Sequence, residues 1–120
     1  MAKYRYIYCD YWMDSEVFNF TPEEKFFYLY ILTNMHTTQC GIYLIHVKVM
    51  EVEIGYSCDT ILKLMDRFEN SYNKIRYNPL TNELAIKNWN KYNNSSSPKV
   101  RTCMETEFLG VKDKSLIEYV

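Results

Sequence analysis

Gly55-Tyr56-Ser57 decides the fold of this chain. On its N-terminal side, Val47, Met50, Val52 and Ile54 fall on a short helix. That helix stops at Gly55, a residue suited to the left-handed conformation past a helix end. On the C-terminal side, Ser57 caps a second helix, whose Ile61, Leu62, Leu64, Met65 and Phe68 form a core face at helical spacing. Two short helices joined by a three-residue, glycine-containing turn make a helix-turn-helix.

Upstream, Gly41-Ile42-Tyr43-Leu44-Ile45 reads as a short strand after a polar loop from His36 to Cys40. Before the loop, Thr21-Pro22-Glu23-Glu24 is a strong helix start. Thr21 accepts from orphan amides, Pro22 sits where no donor is needed, and Glu24 completes a capping box. The helix runs to Asn34, and its stretch Phe26-Phe27-Tyr28-Leu29-Tyr30-Ile31-Leu32 is apolar or aromatic on every face. Such a helix is buried on more than one side. In a chain this small, another subunit is a natural cover for the second side.

Downstream, Lys74-Ile75-Arg76-Tyr77 and Leu84-Ala85-Ile86-Lys87-Asn88-Trp89 flank the turn Asn78-Pro79-Leu80-Thr81-Asn82. Ile75, Tyr77, Leu84 and Ile86 share one face of this hairpin, and Lys74, Arg76 and Lys87 the other. From Thr21 to Trp89 the order is helix, strand, helix, turn, helix, hairpin, which is the ground plan of a winged helix-turn-helix domain. The expected fold is therefore mainly α with a small β-hairpin. A winged helix with an N-terminal arm fills residues 1–92, and a linker and helical extension fill residues 93–120. In the arm, residues 3–8 alternate enough to be extended, and Asp14 is placed to cap a short helix over Ser15–Phe18. Asn90 to Ser97 is a polar linker, and Ser97-Pro98 opens a helix with Val100, Cys103, Met104, Phe108 and Val111 on one stripe. The apolar run Leu116-Ile117-Glu118-Tyr119-Val120 reaches the last residue, which reads as a piece of a longer protein with a further C-terminal domain.

With 120 residues, one domain is the natural count, and an apolar content of 48% with 17% aromatics sets the chain apart from disordered sequences. Its net charge of -1 argues against a simple polycation, but the charge is uneven. Residues 1–62 hold four basic and eight acidic groups, whereas residues 63–120 hold ten and seven, so a polyanion prefers the second half. Cys9, Cys40, Cys58 and Cys103 show no C-x-x-C spacing, and His36 and His46 form no ligand pattern with them. These read as reduced thiols of a cytoplasmic protein without metal or cofactor. No signal peptide or long apolar span points to a membrane. A glycine-rich phosphate loop, a nucleophile elbow and an HExxH motif are all missing, and the pair His36 and Cys40 has no third orienting group, so an enzyme is not expected.

Several segments together resemble the N-terminal domain of DnaD-like replication proteins, particularly the phage replisome-organiser branch. They are residues 21–34 (TPEEKFFYLYILTN), Thr38-Gln39-Cys40-Gly41-Ile42-Tyr43, Gly55-Tyr56-Ser57, residues 86–93 (IKNWNKYN), Ser97-Pro98-Lys99-Val100 and Val111-Lys112-Asp113-Lys114-Ser115. Their order and spacing cover most of the chain. The resemblance implies a winged-helix domain in a protein that helps start DNA replication. Such proteins remodel origin DNA and help recruit the replicative helicase and its loader. In that family the N-terminal domain serves largely in self-assembly, and a separate C-terminal domain carries much of the DNA binding.

Candidate DNA contacts lie in two places. The second helix of the helix-turn-helix turns Asp59, Thr60, Lys63, Asp66, Arg67 and Asn70 outward, with more acid than base between Ser57 and Asn70. That is a poor groove reader, although Lys63 and Arg67 can touch phosphates. On the hairpin, Lys74, Arg76 and Lys87, followed by Lys91 and Lys99, form a basic wing suited to sequence-independent contact. The equal alternative is an edge hairpin kept soluble by its lysines. Aromatic residues of the arm, with the first helix, suggest an oligomer interface of Tyr4, Tyr6, Tyr8, Trp12, Phe27, Tyr30 and Ile31. The competing reading packs the arm on its own domain. The functional expectation is an assembly domain for replication initiation, with self, duplex DNA and replisome proteins such as helicase or helicase loader as partners. A sequence-specific winged-helix transcription regulator is the alternative, and an adaptor without DNA contact a third.

Overall fold

The computed structural model describes residues 3–93 and 97–120, and the chain divides into two compact units, Met1–Met35 and His36–Val120.

In the first unit, residues 3–8 belong to no helix or strand, so the expected extension is realised as an arm rather than a sheet strand. Asp14 caps as expected: its Oδ1 accepts from the amides of Glu16 (2.9 Å) and Val17 (3.2 Å). What it starts is a short 3-10 turn over Val17–Asn19, preceded by another over Cys9–Met13. Helix α1 spans Pro22–Thr33 and opens on a complete capping box. The Glu24 amide donates to Thr21 Oγ1 at 3.2 Å and the Thr21 amide donates to Glu24 Oε1 at 2.8 Å. That reciprocal pair is why the Glu24 carboxylate tolerates nearly complete burial. Phe27 and Ile31 lie fully buried one turn apart. Asn34 closes the helix by donating from Nδ2 to the Tyr30 carbonyl at 2.9 Å. Tyr11 is drawn onto α1, its hydroxyl donating to the Lys25 carbonyl at 2.7 Å and its ring 6.0 Å from Tyr28.

The second unit is mainly helical around a small antiparallel sheet. Its elements are β1 (Ile42–Leu44), α2 (Val47–Ile54), α3 (Cys58–Asp66), a π-helical turn (Arg67–Ser71), β2 (Ile75–Asn78), β3 (Glu83–Ile86), α4 (Trp89–Asn93), α5 (Pro98–Gly110) and α6 (Ser115–Tyr119). Gly55 ends α2 in the left-handed region (φ 91°), and Ser57 Oγ accepts from the Thr60 amide at 3.3 Å to start α3. Leu62, assigned to the core face from spacing, lies largely in solvent instead, as does Val52 of the helix before it. Val52 is 85% exposed and Leu62 49%, because helices of eight and nine residues present too narrow a buried stripe to hold every apolar side chain.

The strands run in the order β1-β3-β2, so the expected two-stranded hairpin gains a third strand. Ile42 pairs with Ala85, and Ala85 with Arg76; Tyr43 pairs with Leu84, and Leu84 with Tyr77. Alternation therefore puts Ile42, Ala85, Arg76 and, beyond the strand ends, Lys74 and Lys87 on one face. The other face holds the buried Tyr43, Leu84, Ile75 and Ile86, and the π-turn packs against β2 there, its Phe68 wholly buried.

The face carrying Arg76 is partly covered, although Arg76 itself stays exposed. Residues 98–120 fold back on it: Ile42, Ala85 and Cys40 form a core with Val111 and Leu116, flanked by Met104, Phe108 and Tyr119. Burying Val111 and Leu116 contributes about 1.5–3 kcal/mol each. Of the stripe expected on α5, Cys103 is exposed. Of the polar linker expected over Asn90–Ser97, residues 90–93 belong to α4, and residues 94–96 lie outside the described residues.

Two carboxylates, the buried Glu83 and the half-buried Glu107, tie this return to the sheet. Glu83 accepts from the amides of Lys112 (2.8 Å) and Asp113 (2.9 Å). Glu107 of α5 accepts from the amides of Cys40 (2.9 Å) and Gln39 (3.3 Å), while Trp89 Nε1 donates to the Gln39 carbonyl at 2.8 Å. Gly41 lets that indole in: its φ is +84°, and a Cβ there would lie 2.4 Å from Trp89 Cγ.

Candidate functional site

The six candidate DNA-contact residues fall into three settings. Lys63 and Arg67 stand exposed at the outer side of α3 and the start of the π-turn, beside the exposed Asp59 and Asp66. Asp66 is engaged by Asn70, whose Nδ2 donates to its Oδ1 at 2.7 Å. The local field at this helix is therefore mixed, as the composition of the helix implies.

Lys74 and Lys87 face each other where the β2–β3 ladder ends, the Lys87 amide donating to the Lys74 carbonyl at 3.0 Å. Both are half-buried, and the exposed Lys91 follows on α4. Asn73 and Asn88 flank this end of the ladder with φ of 51° and 58°, left-handed values that asparagine accepts more readily than most residues.

Arg76 departs from the expected open wing. Its Cζ lies 4.5 Å from the centre of the Tyr119 ring, a cation–π contact supplied by α6. Asp113 acts on the same guanidinium. Its carboxyl is held below the ordinary value of 3.8 by hydrogen bonds from the Ser115 hydroxyl and Asn78 Nδ2, with the Ser115 amide and the Arg76 charge adding to the effect. The physical reason for the difference is the return of residues 98–120 over this face. Tyr119 also donates to Asn73 Oδ1 at 3.0 Å, which orients its ring.

The proposed interface residues divide just as sharply. Tyr4, Tyr6, Tyr8 and Trp12 are exposed, Tyr6 to 83%, and Tyr30 is half-buried. Phe27 and Ile31 are fully buried and offer no surface to another subunit, so these two are corrected from interface to core. An apolar run on every face suggests burial on more than one side, and the helical stripe Glu24, Phe27, Ile31 and Asn34 is the side already buried in the chain's own fold. Phe18 and Phe26 add to the exposed aromatic surface of the same unit.

His36 and Cys40 do not form a thiol–imidazole pair. His36 Nε2 lies 3.1 Å from Glu53 Oε2, and the Cys40 thiol donates to the Ile42 carbonyl at 3.6 Å. Burial pushes the Cys40 thiol up, against the lowering contacts from Thr38 and Ile42. Among the described residues, no group of three or more His, Cys, Asp or Glu side chains is arranged to hold a metal, and no helix is long and apolar enough to cross a membrane.

Sequence reasoning missed Glu83, Glu107 and Tyr119. A signal for the first lay in the outer-face pair Ile42 and Ala85: apolar residues there mark a covered face, and a carboxylate between them needs donors. Comparison of the chain with protein-family models, curated proteins and solved structures returns no match.

Proposed function

We propose that this chain is a winged-helix assembly domain of a DnaD-like replication-initiation protein. It holds protomers together in the cytoplasm and presents a basic wing to duplex DNA and to replisome partners such as the helicase or its loader. The observation that carries the reading is the exposed aromatic surface of the N-terminal unit, from Tyr4, Tyr6 and Tyr8 through Trp12 to Phe18 and Phe26. Aromatic side chains dominate the energetics of protein interfaces, and an apolar patch of several large rings marks an interaction site. The order helix, strand, helix, helix, strand, strand, with β1 beside β3, supports the winged-helix reading. Lys74, Lys87 and Lys91, gathered where the β2–β3 ladder ends, support weak, sequence-independent contact with phosphates.

Sedimentation velocity over a range of protein concentrations tests the assembly reading. A dimer or larger species is expected, and a monomer mass at every concentration overturns it. The outward position of Lys63 and Arg67 favours a second reading, a sequence-specific regulator. It requires a clear preference among duplexes and a larger loss on substituting Lys63 and Arg67 than Lys74 and Lys87. Equal, weak binding to every duplex counts against it.

A further inference from the structure

Leu62 projects from α3 into an open groove whose apolar walls are Val47 of α2, Met65 of α3, and Tyr77 and Pro79 of the β2–β3 hairpin. A surface that meets phosphates at this position requires cations. Here Asp66 and Glu69 line the groove from α3 and the π-turn, against Lys48 and His46 from α2. With two carboxylates to one lysine, the groove suits an occupant that brings apolar surface together with positive charge. The edge of β2 bordering the groove does not invite a new strand, because Glu69 Oε1 already accepts from the Tyr77 amide at 2.7 Å. Side chains rather than a backbone ladder must make the contact.

One segment of this chain has that chemistry. Residues 3–8, Lys-Tyr-Arg-Tyr-Ile-Tyr, lie outside every helix and strand and expose three tyrosine rings, with Lys3 before them and the half-buried Arg5 between Tyr4 and Tyr6. Six extended residues span about 20 Å. That is enough to run along α3, whose nine residues rise about 14 Å.

We propose that the groove between α3 and the β2–β3 turn receives the arm Lys3–Tyr8 of a second copy of this chain. The tyrosine rings cover Leu62, Met65 and Pro79, and Lys3 and Arg5 meet Asp66 and Glu69. The proposal rests on the self-assembly reading above and names the surface that completes it. Each protomer then carries one arm and one groove, so copies can join head-to-tail into a ring or a filament, or two can exchange arms in a closed dimer.

Complementation by sedimentation tests it, using Leu62→Arg for the groove and the triple change Tyr4→Ala, Tyr6→Ala, Tyr8→Ala for the arm. Circular dichroism checks that both variants keep the native fold. Alone, each variant is expected to sediment as a monomer. Mixed in equal amounts they are expected to form a dimer and nothing larger, since one intact arm meets one intact groove. A charge swap gives a second reading: Asp66→Lys is expected to weaken assembly, and adding Lys3→Glu and Arg5→Glu to restore it. If the wild type assembles and Leu62→Arg assembles equally well, the groove is overturned while self-assembly stands. Failure of the mixture or of the swap to recover assembly also overturns the arm-in-groove contact. A wild type that stays monomeric overturns both readings.

Discussion

Arg76 lays its guanidinium 4.5 Å from the centre of the Tyr119 ring, so an exposed cation of the hairpin is already engaged by α6. Arg76→Ala is therefore expected to change duplex affinity less than Lys74→Ala, Lys87→Ala or Lys91→Ala. Each lysine that meets a phosphate lowers the slope of log affinity against log salt by about 1. Fluorescence anisotropy with a labelled duplex at several salt concentrations checks this. A loss for Arg76→Ala equal to that of the lysines would show its charge to be available to DNA.

Tyr11 and Tyr119 are both pushed up to about 12 from the ordinary 10.0. Burial is the cause at Tyr11. At Tyr119 burial leads, with the Arg76 charge pulling back down and Glu69 adding to the rise. A phenol raised in the folded state contributes its full stability below the unfolded value of 10.0. As pH climbs through about 12 the contribution disappears, because the unfolded chain sheds its protons first. Ultraviolet titration should show two late-ionising tyrosines in the native protein, and urea midpoints should fall over the same range. A stability flat from pH 10 to 12 would refute the shifts.

Glu83 holds two successive amides of the returning chain, those of Lys112 and Asp113. Glu83→Gln replaces one accepting oxygen with a donor that faces an amide N–H. The expected cost is about 1–3 kcal/mol, read from chemical denaturation. Hydrogen exchange should rise first over residues 111–119, and an unchanged exchange pattern there would separate Glu83 from the docking of this segment.

Asp113 gives an acid counterpart. Its carboxyl sits below the ordinary 3.8, chiefly through the Ser115 hydroxyl and Asn78. A depressed carboxylate contributes above its unfolded value and ceases to do so as pH falls through the folded one. Asp113→Asn should therefore lower stability near neutral pH and flatten the acid limb of the stability curve below about pH 4. Parallel acid limbs for variant and wild type would contradict this.

Gly41 and Gly55 both have positive φ, yet their substitution should differ. Gly55→Ala meets no atom within 4 Å and carries only the left-handed strain, about 1–2 kcal/mol. Gly41→Ala has the same strain and drives a methyl group into the Trp89 indole, adding about 1–3 kcal/mol for overpacking. Thermal melts of the two variants should rank accordingly, and equal melting temperatures would mean that the indole yields without cost.

The helices, their caps and the hairpin were legible because each is written locally. Thr21 with Glu24, Gly55 and Ser57 mark their helix ends by chemistry that acts within four residues. Joining β1 to β3 and docking residues 98–120 on the Arg76 face depend on pairs such as Glu83 with Lys112 and Cys40 with Glu107, 29 and 67 residues apart. No periodicity reports such pairs. The candidate cations could be named from their type, but which of them the fold engages depends on what returns beside it. Arg76 and Lys74 share a face and the same period-two pattern, and nothing local to either announces the Tyr119 ring beside Arg76.

The chain's two tryptophans lie one in each unit, Trp12 at 54% exposure and Trp89 at 3%. That makes the protein its own pair of optical reporters. Exposure of Trp12 should give red-shifted emission open to iodide, so occlusion of the arm region on assembly is expected to read as a blue shift and protection. Burial of Trp89 should give blue, shielded emission that reddens when the seat beside Gly41 opens. Binding and unfolding can thus be followed in one unlabelled cuvette, by two residues that evolution or chance has set in opposite solvents.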